Sequence, residues 1–325
     1  MKVVIPGGSG QVGTILARAF HQDGHEVIIL SRRPYDAPWR VLVWDAETVG
    51  DWAVQMEEAN VVINLAGRSV NCRYNAHNQH LIKASRVNST RAVGEAIAQA
   101  SNPPQVWLQS STATIYNHRY DAPNDEITGV LGGLEQNVPD TWRFSIDVAQ
   151  AWERAVDEAQ VPRTRKVKLR SAMTMSPDKG GVFDVLLSLV RHGLGGKEGN
   201  GRQYVSWIHH QDFVRAIYWI IQHEELEGPI NLAAPNPLPN ADFMRILREA
   251  WGIGIGLPAT VWMLEVGTFL MKSETELILK SRRVVPSRLL QDGFTFQFPA
   301  WTEAANNLCL DWRKQKRDGV RKMNE

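Results

Sequence analysis

Seven residues near the start of the chain, Gly7-Gly8-Ser9-Gly10-Gln11-Val12-Gly13, have the types and spacing to hold a pyrophosphate. That anion needs backbone N–H groups aimed at it, a helix N-terminus behind it, and no Cβ where the chain passes closest. Gly7, Gly10 and Gly13 meet all three needs. The spacing is G-x-x-G-x-x-G, and a glycine triplet alone is weak, because glycine also serves any turn that requires positive φ. Its surroundings carry the reading. The apolar strand Lys2-Val3-Val4-Ile5 precedes it, a helix with Val12, Ile15, Leu16, Ala19 and Phe20 on one face follows, and a second apolar strand ends at Leu30. At that strand end an NAD site places a carboxylate for the ribose hydroxyls, whereas an NADP site places a cation for the 2′-phosphate. Ser31-Arg32-Arg33 stand there, so NADP(H) is expected in preference to NAD(H), although paired arginines also solvate ordinary surface loops.

Such a site needs a scaffold that brings several strand ends together. Apolar runs at Lys2–Ile5, Glu26–Leu30, Arg40–Trp44, Asn60–Leu65, Gln105–Gln109 and Val167–Arg170 alternate with helical patterns. Nearly continuous Val, Ile and Leu imply strands buried on both faces, so the fold class expected is α/β, a Rossmann-type doubly wound parallel sheet. Residues 1–179 read as the dinucleotide-binding domain, with strands returning to it from the C-terminal half. Residues 180–325, with Gly- and Pro-rich stretches at Gly193–Gly201 and Ala233–Pro239, read as a smaller substrate-side lobe that is helical over 240–325. The run Ile253–Leu270 is broken by Gly254, Gly256, Pro258 and Glu265. It reads as buried helix, short of the roughly 20 uninterrupted apolar residues of a membrane span.

Composition narrows the partners. Lys plus Arg number 36 against 35 Asp plus Glu, so no overall field exists to collect nucleic acid or an anionic membrane. A small molecule is the expected partner. Cys72 and Cys309 lie far apart, which suggests neither a disulfide framework nor a metal site. No charged leader with an apolar core precedes the first strand, so a cytoplasmic location is expected.

Further motifs carry a resemblance. Trp44-Asp45-Ala46, Asn64-Leu65-Ala66-Gly67, Ser110-Ser111-Thr112-Ala113-Thr114-Ile115-Tyr116 and Ser206-Trp207-Ile208-His209-His210-Gln211-Asp212 resemble elements of the extended short-chain dehydrogenases/reductases. The stretches Lys83–Arg91, Gly195–Gln203, Gly228–Pro235 and Val285–Phe294 are similar to an atypical branch, the sugar-nucleotide epimerase-like members of the NAD-dependent epimerase/dehydratase family. The resemblance implies Asp45 and Ala46 near the adenine and Leu65, Ala66 and Gly67 beside the adenosine. It also adds Ser110 and Ser111 to the cofactor site, gives Thr112 the substrate oxygen, and implies a homodimer.

The same resemblance exposes a gap. Ordinary members carry a tyrosine and a lysine one helical turn apart, and the lysine lowers the phenol's pKa so that it can move a proton while hydride moves. Aligned on Trp152-Glu153-Arg154-Ala155, those positions hold Ser145 and Ala149, and no Tyr or Lys occurs from Arg143 to Gln160. Tyr116 is the candidate replacement acid, with packing as its alternative role. His118 and Tyr120 lie on the next loop, and His209 with His210 belong to an element that braces the lobe junction in relatives. The basic run Arg163, Arg165, Lys166, Lys168 and Arg170 either steers an anionic substrate or forms a solvated face. Gly195–Gln203, with Lys197 and Arg202, is either a lid over an anion or a loop that needs positive φ. Two readings stay open. One is an NADP-dependent oxidoreductase or epimerase-like enzyme with an altered proton-transfer group, acting on a small polar or sugar-nucleotide-like substrate. The other is a catalytically degenerate NADP(H)-binding sensor or interaction protein.

Overall fold

The apolar runs become strands β1 (Lys2–Pro6), β2 (Glu26–Ser31), β3 (Arg40–Val43), β4 (Val61–Asn64), β5 (Val106–Thr112) and β6 (Arg165–Ser171), each within a few residues of its expected bounds. The structure, a computed structural model, describes residues 1–135, 138–260 and 276–324. With the strand Gly228–Leu232 outside β6, the sheet has seven strands in the order Gly228–Leu232, β6, β5, β4, β1, β2, β3. Pairing is parallel from β3 through to β6, with Val3 opposite Val27 on one side and Val61 on the other. From β1 the chain winds outward through β2 and β3, then returns to wind the other way through β4, β5 and β6. The carboxyl ends of β1 and β4 are therefore the switch point at which open α/β sheets bind ligands. One expectation is corrected here. Strand β3 is not buried on both faces, since it lies at the sheet edge with one neighbour and Val43 is 58% exposed.

Two helices cover one face. Ala92, Val93, Ala96 and Ile97 of α2 (Ala76–Gln99) and Val156 of α3 (Asp140–Glu158) pack with Val4, Ile28, Val62 and Trp107 in one buried cluster. Helix α2 starts cleanly because the Asn75 side chain accepts a hydrogen bond from the Asn78 N–H at 2.9 Å. Helix α1 (Gln11–Gln22) is amphipathic, and its Phe20 ring lies 4.6 Å from that of Tyr218 on α5 (His210–Gln222); the Tyr218 hydroxyl donates to Asp23 at 2.7 Å.

The basic run is accounted for in the same unit. Arg163 donates to the carbonyls of Ala100 and Ser101, and Arg165 to those of Leu226 and Ile220. Lys166 donates to three carbonyls at the end of α3, those of Val156, Asp157 and Ala159, and Lys168 pairs with Asp157 at 2.8 Å. Alternation along β6 sends these cations to helix ends, where carbonyl partners are short of donors.

The chain divides into two compact units, and their bounds interleave. The first comprises residues 1–115, 131–171 and 214–231 and holds the sheet; the second comprises 116–130, 172–213 and 232–325. The second unit packs α4 (Val182–Arg191), α6 (Asn240–Trp251) and the helix Trp301–Asn324 around Phe183, Leu187, Trp207, Phe243, Trp301 and Leu308. Phe243 and Trp301 stack at 4.1 Å, and the Trp301 indole donates to the Phe243 carbonyl at 2.9 Å. A stacked ring with a satisfied indole explains Trp301 as core. The run read as buried helix from Ile253 does not begin as one. Gly252 ends α6 with φ +89, Ile253–Pro258 are not helical, and Ile255 and Leu257 are exposed. Residues 261–270, with Trp262, lie outside the described residues. Among the described residues no helix is long and apolar enough to cross a membrane.

Candidate functional site

Backbone hydrogen bonds fasten three strand ends at the switch point. The Gly7 N–H donates to the Leu30 carbonyl and the Leu65 N–H to the Pro6 carbonyl, each at 2.8 Å. Between them lies a groove of about 280 Å³. Gly7, Ser9 and Gly10 line it from the first turn, Ser31 and Arg32 from the end of β2, Asp45 and Ala46 from beyond β3, and Leu65, Ala66 and Gly67 from beyond β4.

Each glycine in the first turn has a different task. Gly7 has φ +75, and a Cβ on it would stand 2.5 Å from the Ala66 Cα, so the turns after β1 and β4 touch backbone to backbone. A Cβ on Gly13 would stand 2.4 Å from the Gly8 Cα, so α1 presses directly on the turn. A Cβ on Gly10 would meet nothing within 4 Å. Gly10 is also the N-cap of α1, and no side-chain cap bonds it among the described residues. First-turn N–H groups have no intrahelical acceptor and carry the positive end of the helix dipole. The Gln11 Nε2 beside them is buried without a partner among the described residues. Open space where a Cβ is missing, unspent donors and the cation Arg32 make a cradle that fits a dinucleotide pyrophosphate.

Asp45 is shaped by its own turn. Its carboxylate accepts from the Thr48 hydroxyl at 2.5 Å and from the Thr48 and Glu47 N–H groups at 2.9 and 2.8 Å, and these bonds hold it below the usual carboxylate range. Ala46 follows with φ +66. Of the other residues expected at the cofactor, Gly8, Gln11, Val12 and Gly13 form the turn without lining the groove. Arg33, Ser110 and Ser111 are also not on its wall, and the Ser111 hydroxyl donates to Glu153 at 2.7 Å. Several wall residues escaped the sequence reading. Arg68, Ser85 and Glu47 line the groove, and buried Asn64 shapes it by accepting from the Ala66 N–H at 3.1 Å while donating to Gln109 at 3.0 Å. Asn64 and Ser85 stood inside quoted motifs, but nothing in their type separated a wall from its support.

Helix α3 packs against α2, β5 and β6. Ala149 is fully buried, and one turn later Glu153 pairs bidentately with Arg170 at 2.8 Å. Thr112 ends β5, and its hydroxyl accepts from the Thr114 N–H at 3.1 Å. In the second unit, Tyr116 is 2% exposed, and a Cβ on Gly129 would come within 2.8 Å of its ring. His118 accepts from the Ser281 N–H at 2.8 Å. His209 stacks on Phe298 at 3.9 Å and bonds Asn307 at 3.0 Å, and burial pushes its pKa down to about 3. Asp212 accepts from the Gln297 and Phe298 N–H groups at 2.8 and 2.7 Å, so the His-x-x-Asp element braces loops within this unit.

The glycine loop Gly195–Gln203 is tied down at its centre. Asn240 accepts from the Glu198 N–H at 2.8 Å and donates to its carboxylate at 2.9 Å, and Gln203 donates to the Glu198 carbonyl at 2.9 Å. Burial pushes the Glu198 carboxyl up to about 7, with the Asn240 bond opposing. Because the folded value lies above the unfolded one, this group's contribution to stability is full below about 4.5 and is lost as pH rises through about 7. Glu198→Gln should therefore flatten the decline in melting temperature between pH 5 and 8. A variant that keeps the wild-type slope would show that this carboxyl does not titrate there.

Residues 3–233 match the NAD dependent epimerase/dehydratase family, and residues 260–308 match a domain of unknown function, DUF1731. The epimerase family protein SDR39U1 of Bos taurus is 31% identical over 307 residues, covering 92% of this chain and 96% of its own length. The Homo sapiens protein of the same name is 30% identical over 306 residues with the same coverage. The crystal structure of human SDR39U1 (isoform 2) with NADPH superposes with a TM-score of 0.83 at 26% identity, covering 95% of this chain and 99% of that one.

Proposed function

The chain belongs to the NAD dependent epimerase/dehydratase family, and on that premise we propose that it binds NADP(H), in preference to NAD(H), in the groove at the ends of β1, β2 and β4. The observation that carries this reading is Gly10, an uncapped helix N-terminus with open space in place of a Cβ and Arg32 on the same wall. The NADPH in the human SDR39U1 structure supports it. A nicotinamide dinucleotide supplies a hydride acceptor or donor. Gly10 and the first turn of α1 would hold the pyrophosphate, Ser31 and Arg32 on the groove wall would take the 2′-phosphate, with Arg33 next to them in sequence but off that wall, and Asp45 and Ala46 would flank the adenine. Thr112 holds the substrate oxygen, and Tyr116 donates or accepts the proton that the missing Tyr–Lys pair would move. The substrate class is a small polar or sugar-nucleotide-like molecule, and the reaction is an oxidoreduction or an epimerisation through one.

Comparative titration tests the cofactor. Wild type should prefer NADPH to NADH, and Arg32→Ser should weaken NADPH about 10- to 100-fold while leaving NADH within twofold. The range follows from a charge-assisted hydrogen bond worth about 1.5–3 kcal/mol. A clear wild-type preference for NADH overturns the assignment.

One observation favours a second reading, a sensor or interaction protein that binds NADP(H) without turnover. Helix α3 offers Ser145 and Ala149 where the family's chemistry needs a phenol and an ammonium. Nicotinamide absorbance, followed with the NADP+ and NADPH complexes against sugars, sugar nucleotides, aldehydes and ketones, separates the two. Tight binding with no turnover across the panel favours the sensor.

A further inference from the structure

The sequence gap in α3 removes a fixed positive charge as well as a proton carrier, and the structure brings a cation to the same flank from another helix. Arg86 stands on α2, immediately after Ser85, which lines the groove. Its stem passes under Gly67, where an added Cβ would lie 3.2 Å from the Arg86 Cζ and 3.3 Å from its Cγ. Its Nη1 donates to the Arg68 carbonyl at 3.0 Å and to the Ile82 carbonyl at 2.9 Å, so it holds the Gly67–Arg68 edge of the groove. The guanidinium lies 5.0 Å from the ring of Trp152, three residues beyond Ala149 and thus on a neighbouring strip of α3. Trp152 is itself fixed to α2, donating to the Thr90 hydroxyl at 3.1 Å.

This cation lacks the usual compensation. Among the described residues no carboxylate pairs with it, and its bonds run to two neutral carbonyls and an aromatic face. By contrast Arg170, opposite Ser111 in the β5–β6 pairing and so next to Thr112, is neutralised by Glu153. Arg86 is dehydrated enough that burial pushes its pKa down to about 10, yet it stays charged at neutral pH. A charge that is partly stripped of water and has no counterion is held ready for an anion. The adjoining groove is the place where one is expected.

We propose that Arg86 supplies from α2 the fixed positive charge that α3 lacks, positioning the Gly67–Arg68 edge and acting as counter-charge to the bound dinucleotide. It is a positioning residue, and its assignment rests on the reading that the groove binds NADP(H). In contrast to Arg32, it does not discriminate by the 2′-phosphate, because its contacts lie beyond β4 and not at the end of β2.

Two variants separate charge from bracing. Arg86→Gln keeps a donor for the Arg68 carbonyl and loses the charge, whereas Arg86→Lys keeps the charge. Affinities for NADPH and NADH are measured by nucleotide fluorescence over a range of salt concentrations, with the melting temperature of each ligand-free protein alongside. Arg86→Gln should weaken both nucleotides by a similar factor, roughly tenfold or more, and reduce the salt dependence of binding. Arg86→Lys should keep the wild-type salt dependence. A purely structural brace would lower the melting temperature without changing that dependence. The proposal is overturned if Arg86→Gln matches wild type in affinity and salt dependence, or if Arg86→Lys loses as much as Arg86→Gln. If Arg86→Gln does not fold, the Lys variant decides alone by keeping or losing the salt dependence. A wild-type protein that binds neither nucleotide refutes the parent reading instead, and this outcome is visible before any variant is compared.

Discussion

Replacing Gly10 with alanine should leave the fold standing and remove most of the affinity for NADPH. The new methyl would meet no protein atom within 4 Å, and the backbone at φ −81 suits any L-residue. The cost to the fold is limited to a poorer N-cap, about 1 kcal/mol or less. The cost to binding is larger, because the methyl fills the space over the first-turn N–H groups. Charge-assisted bonds there are worth about 1.5–3 kcal/mol each, so losing two weakens binding about 100-fold or more. Gly13→Ala provides the contrast. Its Cβ would stand 2.4 Å from the Gly8 Cα and 2.6 Å from the Gly8 carbonyl carbon, so backbone must move and both melting temperature and affinity fall. Calorimetric titration with thermal unfolding reads both effects. If Gly10→Ala binds NADPH within threefold of wild type, the pyrophosphate does not pass over Gly10.

Arg170→Met should destabilise the first unit by about 3–5 kcal/mol, a large share of a typical domain's net stability. Arg170 and Glu153 are each 8% exposed, and the carboxylate accepts from the guanidinium at 2.8 Å through both oxygens and from the Ser111 hydroxyl at 2.7 Å. Removing the guanidinium leaves a buried carboxylate with one neutral donor among these three. The double variant Arg170→Met with Glu153→Leu should recover most of the loss, since the penalty arises from the unpaired charge and not from the absence of the pair. Urea unfolding checks both. A single-variant loss below about 1 kcal/mol would mean that the Glu153 charge is met in another way. The pair ties α3 to β5 and β6 beside Thr112, and so sets the helix against the sheet without the family's usual tyrosine and lysine.

Much of the scaffold was legible because its signals are local. Val3, Val4 and Ile5 followed by three glycines and an amphipathic helix specify a strand, a turn and a helix whatever lies elsewhere in the chain. The strand bounds read from apolar runs were close for the same reason. Strand β3 was misjudged because an edge strand and a central strand carry the same residues, and only the pairing partner decides exposure. Ile253–Pro258 was misjudged because apolar content was weighed above Gly252, which ends α6 at positive φ. The basic run leading into β6 could be read as a steering surface or as a solvated face, and the structure spends it on carbonyls and carboxylates within reach of one strand.

The turn from Gly7 to Gly13, the doubly wound order and the absence of Tyr and Lys from α3 were fixed by the sequence alone, since each depends on residue type and spacing along one segment. Only the tertiary structure decided which glycine stands over open space and which is pressed against backbone. It also decided that Arg170 is neutralised by Glu153 whereas Arg86 arrives beside α3 with no carboxylate partner among the described residues. Those outcomes depend on distances between segments far apart in the chain, and a sequence names such groups without saying which of them meet.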